Sequence, residues 1–151
     1  MPDADENERR LQAFLALIRY AESGKQERSD AYTRLYGGAH FHGFSNHPRH
    51  KVTRWQHTTT AAGAYGITAD TYDDAVKAHV VHDFSEPSQD AIATWRINHR
   101  GALWNIWDGR LDAAFTALNQ TWSSLPGGGQ QEITSEEAKR YVWNRLGEAC
   151  P

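Results

Sequence analysis

Glu22 is the residue whose type and position could do acid–base chemistry. It stands in the last turn of a predicted helix, since four apolar residues upstream follow the i, i+3, i+4, i+7 spacing of one helix face: Leu11, Phe14, Leu15 and Ile18. The negative pole of the helix and the nearby apolar face both disfavour an ionised carboxylate, so we expect a raised pKa. A carboxyl still protonated near neutral pH can serve as a general acid, as glycosidic bond cleavage requires. The alternative is an ordinary solvated glutamate at a helix end.

The segments around Glu22 predict an α+β fold that is mostly helical. Ser23-Gly24 ends the first helix, because glycine readily takes the left-handed conformation past a C-terminus. About residues 31–67, glycines and short aromatic runs predict a small antiparallel β region with loops. Helical patterns follow at 68–82, 85–101, 103–109 and 111–125, and a capping box of Thr134 with Glu137 opens a last helix. If Glu22 faces the β region, the two flank a cleft suited to a linear polymer.

Length and composition predict one domain over residues 1–151. The single cysteine, Cys150, allows no internal disulfide. The sequence has no run of eighteen apolar residues, so we expect no membrane span. The acidic start, residues 1–8, is the reverse of a secretory signal, so we expect a protein made soluble in the cytosol. A net charge of −3 argues against general binding of nucleic acid.

One segment is cationic despite the negative total. Between Asp30 and Asp70 the sequence has no carboxylate, while it has these basic residues: Arg34, His40, His42, His47, Arg49, His50, Lys51, Arg54 and His57. Two interpretations stay open. The segment is a histidine-rich surface loop, or it is a wall that attracts an anionic polymer such as peptidoglycan.

Two other kinds of catalytic site are disfavoured. His40-x-His42 on a strand would place two rings on one face, as in a zinc site, but no cysteine or carboxylate nearby supplies the usual further ligand. We therefore predict no metal and no cofactor. A nucleophilic triad needs a serine at a nucleophile elbow, and neither Ser23 nor Ser45 has the Gly-x-Ser-x-Gly setting.

Several motifs in the same order give the sequence a resemblance to a known family. It resembles the lambda-type phage lysozymes, lytic transglycosylases of phage endolysins, over roughly residues 10–130. The matching stretches are Ala13-Phe14-Leu15, Glu22, Tyr32, Gly37-Gly38, Ser45, His47-Pro48-Arg49, Val52-Thr53, Gly63 with Tyr65, Asp83-Phe84-Ser85, Ser88-Gln89-Asp90-Ala91, Arg100-Gly101-Ala102-Leu103 and Trp122-x-Ser124-Leu125-Pro126-Gly127.

The resemblance implies a lysozyme-like fold with Glu22 as the catalytic acid. It also implies a substrate cleft, for which the candidate binding residues are Tyr32, His47, Arg49, Gly63 and Tyr65. For Tyr65 the alternative is a core aromatic, and for His47-Pro48 a loop brace. The chain departs from the family at Gly66, where the family has Gln, in a shorter loop between Glu22 and Gly37, and in Ser23-Gly24.

The function implied is host cell lysis by an endolysin that cleaves the β-1,4 bond between N-acetylmuramic acid and N-acetylglucosamine. A lytic transglycosylase would leave 1,6-anhydro ends. The alternatives are a hydrolysing muramidase and a non-catalytic peptidoglycan-binding module. We also expect a monomer that does not insert stably into the membrane. The family implies that it stays in the host cytoplasm until a holin-type pore lets it reach the cell wall.

Overall fold

The computed structural model describes residues 3–151. In chain order the elements are α1 (Ala4–Glu22), a 3₁₀ turn (Ala31–Thr33), β1 (Val52–Arg54), β2 (His57–Thr59), α2 (Ala69–Lys77), α3 (Glu86–His99), α4 (Leu103–Trp107), α5 (Leu111–Leu118) and α6 (Ser135–Arg145). This content confirms the predicted α+β class. The described residues form two compact units, residues 3–27 with 96–151 and residues 28–95.

Helix α1 forms as the apolar periodicity predicts. The Asp3 side chain accepts a hydrogen bond from the backbone N–H of Glu6 at 2.8 Å and caps the helix start. At the other end Ser23 is the C-cap, and Gly24 follows with φ of +68°. Phe14 and the other inward residues are buried in the first unit, where the Phe14 and Phe115 rings stack with centroids 6.0 Å apart. The helix therefore ends, as predicted, at Glu22.

The first unit is otherwise built from short helices. Helices α4 and α6 lie where the sequence predicted them, and the capping box of Thr134 with Glu137 is present. Helix α5 is shorter than the predicted 111–125 and ends at Leu118. Trp122, the last residue of the apolar periodicity, lies past that end in a series of turns. Its N–H bonds the carbonyl of Leu118 at 2.9 Å, and its side chain is buried.

The second unit contains the predicted β region, in a smaller form than about residues 31–67 suggested. Strands β1 and β2 form a two-stranded antiparallel hairpin in which Val52 faces Thr59 and Arg54 faces His57. The rest of the region is irregular and is held by isolated bridges: Arg34 with His40, Leu35 with Ala62, and Ala62 with Ile67.

Two helices complete the second unit, and one of them differs from its prediction. Helix α3 begins after Ser85 as expected, with Ile92 fully buried. Helix α2 is capped by Thr68 but ends at Lys77, short of the predicted His82. His79 takes a positive φ of +61° and the N–H of Val80 bonds the carbonyl of Ala75, which closes the helix. No helix formed by residues 3–151 is both long and apolar enough to cross a membrane.

Candidate active site

The carboxyl of Glu22 is held by a hydrogen bond within the first unit. The Ser124 hydroxyl donates to Oε2 of Glu22 at 3.0 Å, although the two residues are 102 positions apart. Ser124 is buried in the turns that follow α5. Its carbonyl accepts the backbone N–H of Glu132 at 2.9 Å, which brings a second carboxylate into the same neighbourhood. The end of α1, the turns around Ser124 and the segment before α6 together position the acid.

The pKa of Glu22 is raised from 4.5 to about 7. The largest cause is desolvation, which disfavours the charged form. The hydrogen bond from Ser124 opposes this rise by stabilising the carboxylate, and the negative charge of Glu132 adds to it. The increase that the sequence predicted is therefore confirmed, with burial as its main cause and the charge of Glu132 as a further one.

The Glu22 side chain keeps solvent-accessible surface even though desolvation dominates its pKa. Protein atoms surround the carboxyl closely, while part of the side chain stays open to water. An acid in this setting is both perturbed and accessible, which is what general acid catalysis requires.

The carboxylates nearest to Glu22 in the sequence are held by other groups. Glu27 accepts a hydrogen bond from the hydroxyl of Tyr141 and lies 3.8 Å from Arg145. Asp30 accepts hydrogen bonds from Arg28 at 2.9 Å and from His40 at 2.8 Å, and these bonds hold the pKa of its carboxyl well below its usual range. Both side chains are therefore committed to local structure.

In the second unit, Tyr32 and Tyr65 converge on one carboxylate. Both hydroxyls donate to Oδ1 of Asp90 in α3, at 2.8 Å from Tyr32 and 2.5 Å from Tyr65, and the two rings meet edge to face. Tyr65 is only 1% exposed, so its ring lies in the core. Its direct contact with a ligand stays a prediction, and the burial favours a positioning role.

Gly63 is required by packing in the second unit. Its φ is +80°, and an added Cβ would lie 2.2 Å from Oε1 of Gln89. Gln89 is fully buried, accepts the N–H of Ala64 at 3.0 Å, and donates to the carbonyls of Tyr32 and Phe84. The absence of a side chain at residue 63 therefore lets one amide join three segments of the chain.

His47 is a buried brace, the alternative that the sequence left open. Its Nε2 lies 2.7 Å from the carbonyl of Ile67, so Nε2 carries the proton and donates, while Nδ1 accepts the N–H of Arg49 at 2.9 Å. Burial lowers the pKa of His47. This histidine therefore stays neutral and adds no charge to the cationic segment.

Arg49 is exposed and paired. Its guanidinium makes two hydrogen bonds to the carboxylate of Asp73 in α2, at 2.5 and 3.1 Å, and lies over the ring of Tyr72. The Asp73 carboxylate raises the pKa of Arg49 and its own pKa is lowered in return. Much of the positive charge predicted at Arg49 is therefore neutralised within the fold.

The histidines of the cationic segment do not assemble a metal site in the described structure. Among residues 3–151, no group of three or more His, Cys, Asp or Glu side chains is placed to hold a metal ion. His40 is instead paired with Asp30, and His47 is used as described above.

Sequence reasoning assigned no role to the residues that contact or perturb the predicted ones. Ser124 stood inside a matching motif, Trp122-x-Ser124, but nothing in one sequence tells a hydroxyl that bonds a distant acid from an ordinary turn serine. Glu132 carried no signal, because its charge acts on Glu22 only after folding brings the two residues together. Gln89 and Asp90 are consecutive residues of α3 that stood inside the matching stretch Ser88-Gln89-Asp90-Ala91, but their partners could not be read from one sequence.

Comparison with known proteins decides the family. A family model described as Endolysin matches residues 12–148. The endolysin of Escherichia phage lambda is 37% identical over 122 residues, which cover 78% of this chain and 77% of that protein. The chain belongs to the endolysin family. The endolysin of Escherichia phage P2 is also 37% identical, over 90 residues that cover 59% of this chain and 54% of that protein.

Solved structures agree with this endolysin assignment. The chain is similar to the lysozyme of bacteriophage lambda complexed with a chitohexasaccharide, with a TM-score of 0.79 and 30% identity over 97% of this chain and 96% of that one. A second structure of lambda lysozyme gives a TM-score of 0.78 at 29% identity with the same coverage. The fold is lysozyme-like, and this endolysin is a lysozyme-type glycosidase that degrades peptidoglycan.

Proposed function

We propose that this endolysin is a lytic transglycosylase that cleaves the β-1,4 bond between N-acetylmuramic acid and N-acetylglucosamine, with Glu22 as its catalytic residue. One observation carries the proposal: the Glu22 carboxyl has a pKa of about 7 and stays accessible to solvent. Near neutral pH such a group is protonated for part of the time and ionised for the rest. One carboxyl can therefore act first as the acid and then as the base.

Glu22 gives up one proton in the first step and takes one up in the second. Protonated Glu22 donates to the glycosidic oxygen as its bond to C1 of N-acetylmuramic acid breaks, and the substrate's own N-acetyl group assists at C1. The C6 hydroxyl oxygen of the same sugar then bonds to C1, and its proton returns to Glu22. The products are a free 4-hydroxyl on N-acetylglucosamine and a 1,6-anhydro end, with no water consumed.

The carboxylates nearest to Glu22 in the sequence support a route with one acid. Glycosidases with two acids place a second carboxyl about 5–5.5 Å away for retention or about 6.5–9.5 Å away for inversion. Glu27 and Asp30 are paired with Tyr141 and Arg28. Ser124 supplies a hydrogen bond to the Glu22 carboxylate that would stabilise it after the first proton transfer.

A hydrolysing muramidase is the second candidate, and Glu132 is the observation that favours it. Its negative charge raises the pKa of Glu22, so it lies close enough to interact. In a hydrolase this carboxylate would activate a water that attacks C1, and the product would have a reducing end.

The second unit would shape the glycan-binding surface through its buried contacts. The lambda lysozyme that the fold matches was solved with a bound chitohexasaccharide, which supports a glycan ligand here. We propose that Tyr32 and Tyr65 act as positioning residues for Asp90, and that Gly63 and His47 hold the neighbouring loops. Arg49 is the one of the five candidates that is both exposed and ionised, although Asp73 neutralises much of its charge.

We further propose that residues 1–151 work as one catalytic domain and as a monomer. The family match supports the single domain because it runs through residues of both compact units. Family membership also supports accumulation in the host cytoplasm, with release to the cell wall through a holin-type pore. In this proposal the glycan strands are the partner, and the enzyme does not insert into the membrane.

Digestion of purified peptidoglycan by the wild type and by Glu22→Gln tests the mechanism. The masses of the released muropeptides separate the candidates, because an anhydro product is one water lighter than its reducing counterpart. We expect anhydro products from the wild type and a loss of about 10³-fold or more in rate for Glu22→Gln, since the amide cannot donate the proton.

Glu132→Gln is the matched control, with the same change of acid to amide. A transglycosylase should keep most of its activity in this variant, whereas a hydrolase using Glu132 should lose it. Reducing ends from the wild type would overturn the transglycosylase proposal. Full activity in Glu22→Gln would show that Glu22 is not the catalytic residue.

A further inference from the structure

The second unit carries a basic depression whose lining does not include Glu22. It has a volume of about 400 Å³ and lies between β1 and the turn that contains Gly37. Three of its lining residues are basic, His50, Lys51 and Arg54, and none of those described is acidic. We call this feature the hairpin depression.

Two basic side chains of the hairpin depression differ from Arg49 and His40 in their pairing. Arg49 is bound to Asp73, and His40 to Asp30. Within the part of the chain that the structure describes, neither Lys51 nor Arg54 has a carboxylate partner, and both are exposed. The hairpin depression therefore keeps two positive charges of the base-rich segment between Asp30 and Asp70 that no carboxylate neutralises.

The Arg54 side chain is held in place by the turn below it. Its Nη1 donates to the carbonyl of Gly37 at 2.9 Å. A Cβ at residue 37 would lie 2.8 Å from Cδ of Arg54, so glycine there leaves room for the side chain to lie along the turn. A guanidinium has five N–H donors, and those not used by Gly37 are available for a planar carboxylate.

We propose that the hairpin depression binds the carboxylates of peptidoglycan stem peptides, and so lets the enzyme distinguish peptidoglycan from an uncharged glycan. This inference rests on the proposed function, because it names the part of the same substrate that the second unit contacts. The charge match and the prepositioned Arg54 favour a carboxylate-bearing ligand. Peptidoglycan is the polymer that this family degrades, and its stem peptides carry free carboxylates next to the glycan.

The test compares two forms of one substrate. Gram-negative sacculi are used either untreated or after their carboxylates have been converted to neutral amides with carbodiimide and ethanolamine. Binding of the Glu22→Gln protein to both forms is measured by co-sedimentation, so that cleavage does not remove the sites. We compare this protein with versions that also carry Lys51→Gln or Arg54→Gln.

We expect Lys51→Gln and Arg54→Gln each to weaken binding to untreated sacculi by about two- to fivefold, as for exposed ion pairs. Neither change should affect binding to amidated sacculi, and added salt should reduce the difference. Lys77→Gln, which removes the same charge from exposed α2, is the matched control and should behave like its parent.

Equal losses on both forms of sacculi, or an equal loss in Lys77→Gln, would overturn the proposal. So would an effect of Lys51→Gln that is seen on vesicles of anionic phospholipid and not on sacculi, since the depression would then serve a membrane. Cleavage by the protein with Glu22 intact is measured separately. A protein that binds through carboxylates but does not cut would contradict the proposed function and leave the charge contact standing.

Discussion

At the scale of single residues, Glu22 is tuned by two neighbours that act in opposite directions. Ser124 stabilises the carboxylate by a hydrogen bond, and Glu132 destabilises it by charge. Desolvation sets the larger part of the shift, so these two side chains adjust a pKa that is already raised. Each neighbour can be removed without changing the acid itself.

The two neighbours should therefore move the pH–rate profile in opposite directions. In Ser124→Ala the carboxylate loses its donor, so the pKa of Glu22 should rise above about 7 and the alkaline limb should move to higher pH. In Glu132→Gln the repulsion is lost, so the limb should move to lower pH. Initial rates on peptidoglycan between pH 4 and 9 measure both, with shifts of about half a unit expected. Shifts of the same sign would contradict this account.

The raised pKa of Glu22 also predicts how stability depends on pH. The folded-state pKa lies above the unfolded value of 4.5, so the folded state binds the proton more tightly. This contribution is fully present below pH 4.5 and is lost as pH rises through about 7. Glu22→Gln cannot ionise and should raise Tm by about 1–3 °C at pH 8. At pH 4 it should leave Tm unchanged, and thermal unfolding at the two pH values checks both expectations.

At the scale of elements, the second unit depends on one amide in α3. Gln89 joins the segments around Tyr32, Ala64 and Phe84, and Gly63 leaves the space that it occupies. Gln89 is fully buried, so displacing it would leave polar groups of several segments without partners. The loop of residue 63 and helix α3 are thus one structural assembly.

Gly63→Ala should destabilise the protein by about 2–4 kcal/mol. The new Cβ would meet Oε1 of Gln89 at 2.2 Å, and alanine disfavours a φ of +80°. Urea unfolding measures the change. Gly129→Ala is the control, because nothing lies within 4 Å of its Cβ position and its φ is not in the positive range. If Gly63→Ala lowers the free energy of unfolding by no more than the control does, this assembly does not require a glycine at residue 63.

Some elements carried sequence signals and others did not. The periodicity of α1 and the Thr134–Glu137 capping box predicted their helices correctly, because both are local features. No sequence signal predicted the turn between β1 and β2. Trp55 and Gln56 take φ of +53° and +62°, a conformation usually given to Asn-Gly, so their residue types give no turn signal. The end of α2 at Lys77 was missed for a similar reason, since His79 takes a positive φ.

At the scale of the whole molecule, the proposed route to the cell wall makes a prediction in living cells. Bacteria that produce the wild-type protein should stay intact until their inner membrane is permeabilised with chloroform, and should then lyse within minutes. Cells that produce Glu22→Gln at the same level should not lyse after the same treatment. Turbidity measures both. Lysis by the wild type without permeabilisation would contradict dependence on a pore.

The sequence by itself determined the α+β class, the end of α1 at Glu22, the upward direction of its pKa and the resemblance that the family match confirmed. These follow from local periodicity, from capping residues and from motifs in a fixed order. Tertiary structure alone decided that Ser124 and Glu132 act on Glu22 and that Asp73 pairs with Arg49. It also decided that Tyr65 lies in the core. Hydrogen bonds and charge effects act over a few ångströms of space, and only folding brings residues 22 and 124 within that range.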